Sequence, residues 1–349
     1  MNIRNSLWKF AAALPPSWYQ ALLHRDYFSI YYHVVSDGAL PHIRHLYAYK
    51  TPEMFEDDLR YLRKHAYHPI TYDQLSTFVS HGTSLPSRAV ILTVDDGLSE
   101  CFSIMRPLLL KYDVPCTFFI TTNYLDNYGM GAELKASLCV EKVNTMNSDQ
   151  RAAFANVLLT EFGTSISNPE DIEKAIFSYV ANDHRDIDRV CAILGVDIQQ
   201  EIRKIQPYLT TEEVRQLDAE GFTIGAHSLG HERFSELTLE EIEDNITQAC
   251  QRVQSITHQP EIPFAFPFTA EGLSREHLAA IRQRHPEVGL MFGVDGIIPD
   301  APFLINRFCG DSPDYAKPGK SNLGRAMSKA WLKGISLSLH HKFHVPHRG

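Results

Sequence analysis

Short apolar runs of β-strand composition recur along the chain, and segments with the helical spacing of apolar side chains separate most of them. Eight such runs occur, at residues 27–35, 68–71, 89–94, 116–121, 222–226, 262–266, 289–293 and 303–308. The clearest helix follows Thr238 and Glu241, which form a capping box in front of apolar side chains spaced three and four apart. This alternation predicts an α/β fold built on a parallel sheet or a β/α barrel.

The strand pattern disappears between residues 128 and 208, where amphipathic helical patterns replace it. We therefore predict a barrel over residues 25–320 with a helical insertion at 128–208, which either shapes a substrate cleft or serves as a stabilising subdomain. Residues 1–24 are predicted to form an amphipathic lead-in helix that packs on the domain or touches a membrane surface. Residues 321–349, with four histidines, are predicted to be a mobile tail.

The composition narrows the classes of function. The net charge is −9, with 33 basic against 42 acidic side chains, which disfavours wholesale nucleic-acid binding. No apolar stretch approaches the roughly 18–20 residues that cross a bilayer, and Lys9 interrupts the short apolar run of an export signal. The six cysteines have no C-x-x-C spacing and are expected to be reduced core residues. We expect a soluble protein of the cytoplasm or of the inner face of the membrane.

Two adjacent acids, Asp95 and Asp96, follow an apolar run and precede Gly97. A strand that is apolar on both faces belongs to the centre of an α/β sheet, and ligands bind at the carboxyl ends of such strands. Because glycine allows a sharp bend, both carboxylates can face one site, where one binds a metal and the other takes a proton. An ordinary turn in which Asp96 caps the next helix is the alternative.

Two histidines four residues apart, His227 and His231, directly follow another strand pattern. Two histidines at this spacing can bind one metal ion, although the chain has 17 histidines and chance spacing is the alternative. With Asp96 they form a His-His-carboxylate set that leaves coordination positions open. Such a site, with Asp95 beside it as a base, predicts hydrolysis of an amide or ester.

A third segment, residues 261–272, places aromatic side chains around Pro267 at a strand end. We expect these rings to form an apolar wall for a sugar ring. The backbone N–H of Phe268 is expected to face an oxyanion. Ordinary core packing is the alternative for the whole segment.

These three segments resemble motifs of the NodB-homology polysaccharide deacetylases, carbohydrate esterase family 4. T-V-D-D-G at residues 93–97 resembles the family's T-F-D-D-G motif, and H-S-L-G-H at residues 227–231 matches H-[ST]-x-x-H. F-A-F-P-F at residues 264–268 is similar to the R-x-P-[YF] motif. The similarity runs from about residue 27 to residue 308, apart from the helical insertion.

The resemblance implies a fold and a role for each residue of the site. The implied fold is a distorted (β/α)7-type barrel. The implied metal is Zn²⁺ or another divalent transition metal, bound by Asp96, His227 and His231. Asp95 is implied to be the general base, and the backbone N–H of Phe268 is implied to help hold the oxyanion.

The chain departs from the family pattern at two positions. Ala265 stands where many members have an arginine that orients the base. We predict that Arg307 replaces this arginine by pairing with Asp95, with a surface ion pair as the alternative. The late strands also lack the family's L-x-H motif, which supplies the histidine that protonates the leaving amine.

His33 is the predicted substitute for that missing histidine. It ends S-I-Y-Y-H at residues 29–33, which resembles circularly permuted members of the family. The first and last strands of a closed barrel are neighbours, so His33 can occupy the same place. We predict His33 as the general acid, with His340 as a rival and a buried structural role for His33 as the alternative.

The sequence thus predicts a metal-dependent N-deacetylase acting on an N-acetylated sugar in a polysaccharide, its lipid-linked precursor or a glycoconjugate. An O-acetyl esterase or a deacylase of non-sugar amides would use the same metal, base and oxyanion donor. A carbohydrate-binding protein on a degenerate barrel is a further alternative. The absence of the motif arginine at Ala265 allows it, whereas the two acids and two histidines disfavour it.

Overall fold

The computed structural model describes residues 26–168, 171–182, 184–314, 316–317 and 319–330. The chain divides into two compact units. Among the described residues, the barrel unit comprises 26–37, 49–125 and 209–330, and the helical unit comprises 38–48 and 126–208. The predicted lead-in helix at residues 1–24 and the rival acid His340 lie outside the described residues.

The strands of the described residues belong to one parallel sheet in the barrel unit. They are β1 (Tyr27–Tyr32), β2 (His68–Pro69), β3 (Ala89–Val94), β4 (Thr117–Ile120), β5 (Thr223–Ala226), β6 (Ile262–Ala265), β7 (Val288–Gly293), β8 (Leu304–Asn306) and β9 (Phe308–Cys309). Their order is β8-β7-β6-β5-β4-β3-β1-β9, and β2 pairs with β3 outside this path. Each of the eight predicted runs therefore contains a strand.

The last segment of the sheet closes the barrel. β8 pairs with β7, with Asn306 opposite Gly293, whereas β9 pairs with β1, with Tyr31 opposite Cys309. Only Arg307 separates β8 from β9, so the predicted run at 303–308 is a single strand broken at one residue. When β8 and β9 are taken together, the path has seven members, which confirms the predicted (β/α)7-type barrel.

Helices follow most strands, as the alternating pattern predicts. They are α1 (Pro52–Lys64), α2 (Tyr72–His81), α3 (Arg106–Tyr112), α4 (Ala132–Asn144), α5 (Ser148–Phe162), α6 (Asp171–Asn182), α7 (His184–Leu194), α8 (Ile198–Ile205), α9 (Thr211–Ala219), α10 (Leu239–Thr257) and α11 (Arg275–Arg284). The predicted capping box of α10 is present, because Thr238 and Glu241 each accept the other's backbone N–H. In the described part of the chain, no helix is long and apolar enough to cross a membrane.

The helical unit has its own hydrophobic core, formed by α4 to α7. Residues 38–48, which follow β1, also belong to this unit. Ser137 of α4 donates a 2.6 Å hydrogen bond to the Pro41 carbonyl, and the imidazole of His45 lies 2.5 Å from the carboxylate of Glu141. The insertion predicted at 128–208 is thus observed as 126–208 together with a second segment that the sequence did not indicate.

The cysteines are free thiols, five of them buried and Cys309 exposed. In the helical unit the sulfurs of Cys139 and Cys191 lie 3.3 Å apart between α4 and α7. The prediction of reduced core residues therefore agrees with the structure at every cysteine except Cys309. The sequence did not predict the contact between Cys139 and Cys191, because 52 residues separate them along the chain.

Residues 321–330, predicted as part of a mobile tail, instead pack on the barrel unit. Leu323 and Met327 are fully buried, and Ser321 donates a 2.6 Å hydrogen bond to the buried carboxylate of Asp58. The prediction of a mobile tail from residue 321 is therefore wrong for residues 321–330, because the apolar side chains of this segment are buried. The four histidines beyond residue 330 lie outside the described residues.

The interior of the barrel is closely packed around Gly225. A Cβ atom at this position would lie 2.4 Å from the Phe119 ring on β4 and 2.8 Å from the Pro263 carbonyl oxygen. We expect Gly225→Ala to lower the free energy of unfolding by about 1–3 kcal/mol, because the ring and the backbone must shift. Urea unfolding measures this change. In a double variant with Phe119→Leu the loss should be smaller than the sum of the two single losses, and strict additivity would contradict the contact.

Candidate active site and metal centre

The two acids at the end of β3 share one site because the chain turns sharply after Asp95. The Asp95 backbone N–H donates a 2.8 Å hydrogen bond to the Tyr32 carbonyl, which continues the pairing of β3 with β1. Asp96 and Gly97 then both adopt left-handed backbone conformations, with φ of 73° and 69°. A non-glycine residue seldom adopts this conformation, and such residues cluster at functional sites. The bend that the glycine predicted is present, and it begins one residue earlier, at Asp96.

The two histidines lie in a loop after β5, with Gly230 between them. The backbone N–H of His227 donates to the Ile120 carbonyl at 2.9 Å, and its Nδ1 lies 2.9 Å from the Ala265 carbonyl oxygen. Because a carbonyl only accepts, Nδ1 carries the proton and Nε2 keeps its lone pair for a metal. His231 has a φ of 65°, and its backbone N–H donates a 2.8 Å hydrogen bond to the Ser228 hydroxyl. The end of β6 thus fixes the imidazole of His227, and the loop fixes the backbone of His231.

The ligand atoms of Asp96, His227 and His231 converge on one point. Asp96 Oδ1 lies 3.4 Å from the Nε2 atom of each histidine, and the three atoms all lie within 4.8 Å of one another. In a tetrahedral site with metal–ligand bonds of about 2.1 Å, neighbouring ligand atoms are separated by about 3.4 Å. Burial would raise the pKa of Asp96, but the two facing imidazoles hold it well below its usual range. The donor set therefore fits a divalent transition metal such as zinc.

Arg307 holds the predicted base, Asp95. Its guanidinium donates two hydrogen bonds to the two carboxylate oxygens of Asp95, at 2.6 Å and 2.8 Å. The remaining donors reach the Thr93 hydroxyl at 2.8 Å and the Gly293 carbonyl at 3.2 Å. Arg307 is fully buried, so the alternative of a surface ion pair is wrong, and the predicted contact with Asp95 is present. The break between β8 and β9 places this side chain inside the barrel.

His33 is paired with an acid that sequence reasoning missed, Asp311. The His33 backbone N–H donates a 3.0 Å hydrogen bond to one Asp311 oxygen, and its Nδ1 lies 2.5 Å from the other. The pairing of β1 with β9 explains this contact, since Tyr31 lies opposite Cys309 and the residues two positions further along meet next. Burial alone would lower the pKa of His33, but the Asp311 carboxylate outweighs it and raises that pKa to about 9. His33 is therefore protonated at neutral pH.

The aromatic segment after β6 contributes one ring to the site. Phe264 and Phe266 are buried and pack edge to face on each other and on Phe234, so the expected aromatic wall is wrong for these two residues. Phe268 differs, because its φ is 60° and the centre of its ring lies 4.7 Å from that of His231. The role of its backbone N–H at an oxyanion stays a prediction.

The sequence also matches proteins that are already characterised. A family model described as "Polysaccharide deacetylase" matches residues 82–157 and 167–285, more than half of the chain. The poly-beta-1,6-N-acetyl-D-glucosamine N-deacetylase of Escherichia coli (strain K12) is 26% identical over 119 residues, which cover 32% of this chain. The match spans only 17% of the length of that relative.

Solved structures share the fold at low sequence identity. IcaB from Ammonifex degensii is 14% identical, with a TM-score of 0.53 over 88% of this chain and 97% of that chain. The polysaccharide deacetylase BC0361 from Bacillus cereus is 13% identical, with a TM-score of 0.51 over 86% of this chain and 69% of that chain. The Streptococcus pyogenes deacetylase PplD, in complex with acetate, is 14% identical, with a TM-score of 0.50 over 81% and 91%.

The family model, the barrel and the predicted motifs agree with one another. The model covers both acids and both histidines of the site. The three solved structures support the barrel, which the strand order shows independently. The chain therefore belongs to the NodB-homology polysaccharide deacetylase family and is a hydrolase.

Proposed function

We propose that the protein is a metal-dependent N-deacetylase that removes the acetyl group from an amino sugar of a polysaccharide, its lipid-linked precursor or a glycoconjugate. The observation that carries this proposal is the convergence of His227 and His231 on Asp96, next to a second carboxylate held by Arg307. The name of the E. coli relative specifies a polymer of N-acetylglucosamine, which supports an N-acetylated hexosamine as the substrate class.

Each residue of the site has a part in this hydrolysis. A divalent metal such as Zn²⁺, bound by Asp96, His227 and His231, supplies a Lewis acid for the acetyl carbonyl and for water. Arg307 orients both oxygens of Asp95. In this position Asp95 accepts the proton of the attacking water. The backbone N–H of Phe268 is proposed to donate to the oxyanion. His33 then gives its proton to the sugar nitrogen, and the products are acetate and a free amine.

The pairing of His33 with Asp311 favours an amide substrate over an ester. An amine leaves the tetrahedral intermediate readily only after its nitrogen has been protonated. The reaction therefore requires a general acid that still carries its proton at neutral pH. Asp311 raises the pKa of His33 to about 9, which meets this requirement. The third alternative, a binding protein on a degenerate barrel, is disfavoured because every predicted ligand is in place.

Acetate release tests the proposed function. The zinc-loaded protein should release acetate from N-acetylhexosamine oligomers, lose this activity with a chelator and regain it when Zn²⁺ is restored. Metal content measured in parallel should fall in a His227→Ala variant. Release from O-acetylated sugars alone would favour the esterase. A protein that binds zinc but releases acetate from no acetylated sugar would refute the proposal.

The pH profile of the reaction tests the role of His33. Its pKa is raised to about 9, so the acid is protonated below this pH and the rate should fall as the pH rises through it. Asp311→Asn removes the charge that raises the pKa, so we expect the alkaline limb of kcat/KM to move to lower pH. The control is Asp314→Asn, an exposed change three residues away. An alkaline limb that does not move in Asp311→Asn would exclude His33 as the acid.

We also propose that the protein acts in the cytoplasm or at the inner face of the membrane, where sugar precursors are assembled. The free thiols of its buried cysteines support this location. Detection of the protein in soluble and membrane fractions of lysed cells tests the proposal, and recovery with exported proteins would contradict it.

A further inference from the structure

Arg233 lies in the loop after β5, two residues beyond His231. Its guanidinium carbon lies 3.8 Å from the centre of the Phe268 ring. The centre of that ring lies 4.7 Å from the centre of the His231 ring. The guanidinium and an imidazole of the metal site therefore contact the same aromatic ring. A guanidinium that lies over a ring face keeps its N–H edge available for a ligand.

Arg233 has no carboxylate within ion-pair distance among the residues that the structure describes. Several other arginines of the barrel unit do have such a partner, although Arg88 and Arg282 also lack one among the described residues. The pairs are Arg60 with Asp57, Arg106 with Glu220, Arg215 with Glu212, Arg275 with Asp300, Arg284 with Glu243 and Arg307 with Asp95. Among the described residues, the neighbouring Glu232 forms no ion pair with Arg233 either, and its Oε2 atom is buried with no hydrogen-bond partner. The guanidinium of Arg233 therefore lies on the Phe268 ring without an ion pair to any described carboxylate.

The acids of the site do not form an ion pair with Arg233 either. Asp95 is held by Arg307, and Asp311 is held by His33. Asp96 faces the two histidines that complete the metal triad. A substrate at this site can therefore contact a guanidinium that no described carboxylate holds in an ion pair. A guanidinium binds a carboxylate or a phosphate through two parallel N–H···O bonds, which are about twice as strong as neutral hydrogen bonds.

We propose that Arg233 recognises an oxyanion on the substrate, so that the preferred substrate is an acidic N-acetylated saccharide. The oxyanion is a carboxylate of a neighbouring sugar or a phosphate on the N-acetylated sugar itself. The proposal rests on the proposed deacetylase function and names the substrate class of that same site. Arg233 is a specificity residue in this account, since it contacts the substrate away from the acetyl group.

Kinetics on matched substrates test this inference. The probes are a neutral N-acetylglucosamine tetramer, a tetramer in which N-acetylglucosamine alternates with glucuronic acid, and N-acetylglucosamine 1-phosphate. We expect at least one acidic probe to be preferred by kcat/KM, chiefly through KM, and the preference to shrink as salt is added. Arg233→Gln should lower the acidic-to-neutral ratio by about 10-fold or more, as the loss of a charged hydrogen bond implies. The responsive probe identifies the oxyanion as carboxylate or phosphate.

Two controls separate this inference from the deacetylase proposal. Arg215→Gln removes an exposed arginine from α9 and should leave the ratio unchanged. Calorimetry in the Asp95→Asn background measures binding without turnover, and the further change Arg233→Gln should weaken binding of the acidic probe selectively. Acetate release from all probes without acidic preference would overturn the inference alone. Selective binding of the acidic probe without acetate release by the zinc-loaded wild type would overturn the deacetylase function alone.

Discussion

Asp95→Asn is expected to lower kcat for acetate release by about 10²–10⁴-fold while the protein still binds its metal. The reason is that asparagine has the shape of aspartate but accepts no proton from water. Asp95 is buried and its oxygens face Arg307, so no bulk-solvent base replaces it. Acetate release measured beside zinc content checks the prediction.

The neighbouring acid supplies the matched control for this experiment. Asp96→Asn changes the group that faces His227 and His231, so activity and zinc should be lost together. Asp95→Asn also removes one partner of a buried ion pair, so both variants are to be assayed below their unfolding temperatures. Equal zinc loss in the two variants would contradict the separate roles of the acids. Full activity of Asp95→Asn would exclude Asp95 as the base.

The sequence predicted those parts of the molecule that depend on local chemistry. The strand runs, the helix caps and the two motifs at strand ends are read from neighbouring residues, and each is present in the structure. The convergence of Asp96 with His227 followed from one rule, that parallel strands present their carboxyl ends at the same edge. The prediction succeeded because this rule needs no knowledge of side-chain packing.

The sequence did not predict contacts between segments that are far apart along the chain. Asp311 meets His33 across 278 residues, and only the register of β1 with β9 brings them together. The same holds for residues 38–48, whose loop composition does not indicate that they belong to the helical unit. The hydrogen bond of Ser321 to Asp58 likewise joins residues that are 263 positions apart. These features depend on tertiary pairing, which a local pattern does not encode.

The closure of the barrel explains how the site tolerates its departures from the family pattern. Ala265 on β6 takes the position of the expected arginine, and it is fully buried in the barrel core. The guanidinium comes instead from Arg307, at the break that joins β8 to β9. His33, the proposed acid, comes from the end of β1, which pairs with β9 at the same closure. The positions of Arg307 and His33 thus depend on one strand junction.

Arg307→Met is expected to lower the free energy of unfolding by about 3–5 kcal/mol and to abolish acetate release. The variant leaves the Asp95 carboxylate buried without its two charged hydrogen bonds. A carboxylate that has lost both hydrogen bonds is also no longer oriented towards the attacking water. Urea unfolding and acetate release, both at neutral pH, measure the two effects.

Two further variants test whether Asp95 and Arg307 depend on each other for stability and activity. Arg307→Lys keeps the charge but not the two parallel hydrogen bonds, so its stability and activity should lie between those of the wild type and Arg307→Met. Adding Asp95→Asn to Arg307→Met removes both charges, and the double variant should regain stability while staying inactive. If the double variant is instead less stable than Arg307→Met by the full cost of Asp95→Asn, the two side chains are independent. The break between β8 and β9 at Arg307 would then contribute to closing the barrel but not to positioning Asp95.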